Sequence, residues 1–205
     1  MVSARFLWPL SLVVLLLHSA SGLLTLPALV PPAPVKVAPA TRPAPSTGEL
    51  LASRRLVVPV QGVRRSQLHD TFEARRGMGR KHRAIDIMAP WGTPVLAADD
   101  GRLAKIASNR SGGLTLYQVD ASGRFVYYYA HLTGYADDLR EGQPLRRGDV
   151  IGYVGTTGNA PESAPHLHFA VLVLERKGRW WGGEALNPYD ALVRDDGAVA
   201  TASRR

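Results

Sequence analysis

No cysteine occurs in the 205 residues. Disulfides, thiolate nucleophiles and a cysteine-ligated structural zinc are therefore excluded, and any metal must be held by His, Asp or Glu. A lipid-anchored N-terminus, which needs a cysteine behind the leader, is excluded too. Acidic residues are in short supply: 17 Asp and Glu face 25 Lys and Arg, for a net charge of +8 and an isoelectric point near 10.2. Such an excess draws a chain towards anionic polymers such as cell wall, acidic lipid or nucleic acid, and it is equally compatible with an Arg-rich solvated surface. The N-terminal apolar run, Phe6 to Leu17, is interrupted by Pro9 and falls short of the ~20 apolar residues of a spanning helix.

What surrounds that run is informative. Arg5 precedes it and Ser19-Ala20-Ser21-Gly22 follow it, the order of charge, apolar core and small residues that marks an export signal. Residues 1–22 are expected to be a signal peptide, with an uncleaved N-terminal membrane anchor as the alternative. Residues 23–48 are Pro/Ala-rich, with Pro31-Pro32-Ala33-Pro34 and Arg42-Pro43-Ala44-Pro45, and read as a semi-rigid polyproline II linker. Residues 49–194 are the expected folded domain, and residues 195–205, small and polar, a disordered tail. Export places the chain in a bacterial periplasm or cell envelope, possession of a tether depending on cleavage, and sets nucleic acid aside as a partner.

Within the domain, short apolar or alternating runs predict strands at 56–60, 84–88, 94–98, 102–107, 114–119, 125–130, 150–154 and 167–174. Asp100-Gly101, Ser111-Gly112-Gly113, Ser122-Gly123 and Gly148-Asp149 supply turns between them. The expectation is an all-β, antiparallel sandwich or barrel-like domain. Two helices are predicted: one from a Ser46/Glu49 capping box to Arg54, the other a short C-terminal helix from Asn187-Pro188 to about Arg194.

Candidate metal donors stand in two pairs, His82 and Asp86 in an HxxxD spacing, and His166 and His168 in an HxH spacing. In a strand His166 and His168 point to the same face while Leu167 and Phe169 take the other. Likewise Ile85 and Ile87 share one face and Asp86 the opposite one. His82 and Asp86 can share an ion only through a bend, because four extended residues span ~13 Å; Gly79-Arg80-Lys81 offers a turn. Imidazoles and a carboxylate form an open ligand set of the kind that holds a catalytic zinc. No glutamate adjoins the candidates as in HExxH enzymes, so a base would have to be histidine, and His131 ends the aromatic run Tyr127-Tyr128-Tyr129-Ala130.

Read together, the segments resemble a known family. His82-Arg83-Ala84-Ile85-Asp86-Ile87 with Ala89-Pro90, Gly92 to Ala98 and Asp100-Gly101 resemble the first motif of the lysostaphin and LytM-like zinc metalloendopeptidases. Tyr129-Ala130-His131-Leu132, Gly142 to Gly152 and Pro165-His166-Leu167-His168-Phe169 are similar to the later motifs, in the same order. The resemblance implies a duplicated hybrid motif related to biotinyl and lipoyl domains, one Zn2+ held by His82, Asp86 and His168, and His131 and His166 as unligated catalytic histidines. It implies hydrolysis of peptide bonds in peptidoglycan stem peptides or cross-bridges. Its alternative is a non-catalytic regulator of other wall hydrolases, but relatives of that kind have lost ligands that this chain retains. A carrier role is not expected, because a carrier needs a lysine at a hairpin tip and no lysine lies between Lys105 and Lys177.

Three positions depart from the family pattern. Ala84 replaces a glycine between the first two ligands, no tyrosine precedes His82, and Glu73 replaces a glycine.

Overall fold

The computed structural model describes residues 44–174 and 180–194. The chain divides into two units, Met1–Arg42 and Pro43–Arg205, and all the described residues belong to the second. The expected signal segment, most of the linker and the terminal tail lie outside them.

The first helix, α1 (Thr47–Ala52), starts from the capping box anticipated for it: Glu49 N–H donates to Ser46 Oγ at 3.2 Å, and Ser46 N–H to Glu49 Oε2 at 2.6 Å. Two backbone donors of the first turn are thereby satisfied. The helix begins inside the stretch assigned to the linker and stops at Ala52, short of Arg54. Among the described residues no helix is long and apolar enough to cross a membrane.

Nine strands follow among the described residues: β1 (Ile85–Met88), β2 (Pro94–Leu96), β3 (Gly101–Asn109), β4 (Gly113–Asp120), β5 (Phe125–Tyr135), β6 (Pro144–Leu145), β7 (Val150–Val154), β8 (His166–Val173) and β9 (Ala185–Leu186). Every pairing is antiparallel, as turn-punctuated short strands predict. The main path runs β1-β8-β5-β4-β3-β6, with β7 joining β5 to β2 and β9 joining β8. The C-terminal helix α2 (Tyr189–Val193) is led in by Asn187, whose Oδ1 accepts from Tyr189 N–H at 3.0 Å.

One predicted strand is absent. Between Leu56 and Val60 only Val60 makes a bridge, to Val95, because Pro59 has no N–H to continue a ladder. Its carbonyl still accepts from Leu96 N–H at 3.1 Å, and Val57 N–H reaches Ala98 O at 3.0 Å, so the segment lies along β2 through scattered bonds. The two-residue strands β6 and β9 were too short to leave a pattern in the sequence.

Strand parity positions the site. Ile85, Ile87, Leu167, Phe169, Tyr127 and Tyr129 are buried in the core, each large aliphatic side chain stabilising by roughly 1.5–3 kcal/mol. A slip of one residue would exchange that row for Asp86 and His168, so burial on one face sets the register on the other. The observed register aligns Asp86 with His168 and His168 with Ala130 across three adjacent strands.

Candidate metal centre

Asp86 leaves the buried strand β1 on its open face, and His168 faces it from β8. His82 arrives from outside the sheet. The segment before it doubles back, with Gly79 at φ 74° and a bridge between Arg75 and Lys81. His82 N–H then bonds Ala74 O at 2.9 Å and Arg83 N–H bonds Phe72 O at 2.8 Å. The left-handed residue of the bend is Arg83, at φ 60°, while Ala84 is fully buried. Ala84 itself does not have positive φ, so alanine stands there without left-handed strain, and the residue that takes that conformation, Arg83, has an exposed side chain.

The three donor atoms converge. His82 Nε2 stands 2.9 Å from Asp86 Oδ1 and 3.0 Å from His168 Nδ1, and His168 Nδ1 stands 3.1 Å from the same carboxylate oxygen. His82 Nδ1–H donates to Thr71 O at 3.0 Å, which leaves Nε2 as a bare lone pair when the ring is neutral. A carboxylate only accepts, so a single proton on His168 would have to serve all three groups. This is a group that could hold a metal ion. An ion with bonds of about 2.0–2.1 Å needs tetrahedral edges of about 3.3 Å, so the triangle accepts one by opening a few tenths of an ångström.

Electrostatics agree with that reading. Burial raises the Asp86 pKa, but the close approach of the His168 and His82 imidazoles outweighs it and holds the carboxyl well below its usual range. Arg76 forms an ion pair with the other oxygen, Asp86 Oδ2. Burial pushes the His168 imidazole down, keeping it in the neutral form that ligates.

His131 and His166 stand beside these three. His166 shares the face of His168, as the HxH spacing predicts, with its Nε2 3.7 Å from Asp86 Oδ1 and its Nδ1–H donated to Ala164 O at 2.8 Å. His131 does not end its strand; it sits within β5, at φ 63°, where two residues of β5 oppose Thr115 of β4. This bulge turns the ring towards the site, 5.0 Å from the His166 ring and 5.6 Å from that of His168, centre to centre. Its Nδ1–H donates to Thr157 O at 2.8 Å. Burial pushes the His131 pKa down to about 4, so the ring stays neutral, with Nε2 able to accept a proton, in mildly acidic solution.

Several residues of the site carried no signal in the sequence. Thr71 braces the first pair of donors, Arg76 pairs with Asp86, Thr157 orients His131, and Tyr128 lines the groove with its ring 6.1 Å from that of His168. Each is remote in sequence from the group it serves, and none belongs to a recognisable spacing.

Residues 80–188 match the profile of Peptidase family M23. The chain is 33% identical over 129 residues to an L-Ala--D-Glu endopeptidase of Bacillus subtilis, covering 60% of this chain and 38% of that protein. It is 35% identical over 112 residues to the peptidoglycan DD-endopeptidase ShyC of Vibrio cholerae, covering 52% of this chain and 25% of that protein. It therefore spans well under half the length of these relatives. A solved structure from Ruminococcus gnavus, described as a glycyl-glycine endopeptidase of LytM type, superposes with a TM-score of 0.53 at 31% identity, covering 62% of this chain and 52% of the other. The structure of LytU gives 0.50 at 30% identity, covering 60% and 81%.

Proposed function

Because the chain belongs to peptidase family M23, we propose that it is a zinc-dependent endopeptidase cutting peptide bonds in peptidoglycan stem peptides or cross-bridges. The observation that carries this reading is the convergence of His82, Asp86 and His168 on one point, with two further neutral-capable histidines beside it. The names of the relatives, a peptidoglycan DD-endopeptidase among them, support the substrate class. The net charge of +8 favours encounter with an anionic wall. An N-terminal signal or anchor agrees with work in the periplasm or cell envelope.

In this reading His82 Nε2, Asp86 Oδ1 and His168 Nδ1 hold the ion. Zinc, when bound, supplies Lewis-acid polarisation of a peptide carbonyl and activation of a water. His131 and His166 are the proton carriers: each has its Nδ1–H committed to a backbone carbonyl, which leaves Nε2 to take a proton and later return it to the departing amine. Arg76, on the outer oxygen of Asp86, fixes the carboxylate.

The full chain loaded with zinc should bind one equivalent and release peptide fragments from defined muropeptides, read by mass spectrometry. His82→Ala and His168→Ala should each abolish release and weaken zinc binding by at least about 100-fold. Full activity in either variant would overturn the site. Stoichiometric zinc without any fragment release would favour a regulator of other hydrolases.

A further inference from the structure

We infer that the groove at the metal centre selects peptides carrying free carboxylates, with Arg80 as the specificity residue that engages them; this rests on the peptidase reading and names its substrate class. The groove has a volume of about 400 Å³ and reaches the rings of His82, His131, His166 and His168. Arg76, Arg80 and Lys81 line it, and among the described residues no Asp or Glu does. All three cations come from the doubled-back segment before His82, which places positive charge immediately beside the donors. Residues 73–83 carry Arg75, Arg76, Arg80, Lys81 and Arg83 against the single acid Glu73.

The cations are not equivalent. Arg76 is committed to Asp86, and Lys81 and Arg83 share Glu73. Arg80 is exposed, and its Nε–H makes only a long 3.4 Å bond to Gly77 O. Among the described residues it forms no ion pair, so its terminal nitrogens are available to a ligand. A guanidinium fork matches a carboxylate with two parallel hydrogen bonds. An uncharged bridge of glycines has nothing to offer it, whereas a stem peptide with free side-chain or terminal carboxylates does.

The test uses two stem-peptide fragments that differ only in having their carboxylates free or amidated. Their binding to the metal-free full chain is measured by calorimetry, and their cleavage by the zinc-loaded chain is followed separately. The free-carboxylate fragment should bind about tenfold more tightly, the value of one charge-assisted hydrogen bond. Arg80→Gln should erase that preference without changing the melting temperature, and Arg80→Lys should restore part of it. In the unsubstituted chain the preference should shrink as salt is raised. Equal binding of the two fragments, or a preference that survives Arg80→Gln or high salt, overturns the inference. Failure of the zinc-loaded chain to cut either fragment counts instead against the peptidase function, and the binding comparison still decides whether Arg80 reads carboxylates.

Discussion

Thr71 Oγ1 accepts the Asp86 N–H at 3.0 Å and donates to Ala84 O at 3.2 Å, while the Thr71 carbonyl takes the His82 Nδ1–H at 3.0 Å. One residue thus braces both donors of the HxxxD pair and the bend between them. Its carbonyl fixes the tautomer of His82, and its hydroxyl fixes the backbone from which Asp86 projects. Supporting partners of this kind are worth roughly 10–100-fold in metal affinity. Thr71→Val keeps the shape and the carbonyl but strands the Asp86 N–H and Ala84 O. Zinc affinity should fall about tenfold, near the lower end of that range, because His82 keeps its bond. Hydrolysis should fall at limiting zinc and recover at saturating zinc. A chelator competition that finds unchanged affinity would show that the hydroxyl is dispensable.

At the scale of elements, the bulge in β5 does for His131 what strand parity does for His166 and His168. Parity was legible in the sequence: alternation of Ile85, Asp86, Ile87 and of His166, Leu167, His168 states which side chains face the core, and the structure follows it. The bulge was not legible, because the extra residue is a pairing property of β5 against β4 and leaves no trace in the order Tyr129-Ala130-His131. What secures it is the close fit of two glycine turns. Gly113 and Gly158 both have positive φ, and a Cβ on Gly158 would lie 2.3 Å from Gly113 N and 2.4 Å from Ser111 O. Neighbouring Thr157 donates to Leu132 O at 2.7 Å and accepts from His131 at its carbonyl. Gly158→Ala therefore meets backbone on two sides in an unfavourable conformation, at a cost of about 1–3 kcal/mol. The strain should move the Thr157 carbonyl and lower turnover with little change in zinc affinity, since His82, Asp86 and His168 lie on other elements. Loss of zinc together with turnover would mean that the two halves of the site are not separately built.

Over the whole molecule, the face of the sheet away from the site is closed by a polar network that composition could not reveal. Tyr127 and Tyr129, which read simply as an aromatic strand, donate to Asp99 Oδ2 at 3.0 Å and Gln118 Oε1 at 2.6 Å. Asp120 Oδ1 accepts the N–H groups of Arg124 and Phe125, both at 2.7 Å, and its Oδ2 takes Ser122 N–H at 3.0 Å and Arg54 Nη2 at 2.6 Å. Through Arg54 the segment after α1 is tied to the β4–β5 turn. Burial raises the Asp120 pKa, but the bonds from Phe125, Ser122 and Arg124 outweigh it and leave it lowered from 3.8. A carboxyl lowered in the folded state contributes stability that is fully present above its unfolded pKa and lost as pH falls through 3.8 towards the folded value. Asp120→Asn should keep the two bonds at Oδ1 but set an amide N–H2 against Ser122 N–H and Arg54. Two donors facing a donor cost about 2–4 kcal/mol at neutral pH. As the pH falls below 3.8, the unsubstituted chain gives up its carboxylate stabilisation and the asparagine variant has none to give up, so the two unfolding curves should draw together. Denaturant titrations at neutral pH and near pH 3 measure this, and a gap that stays constant with pH would mean that Asp120 is not the group through which the fold senses acid.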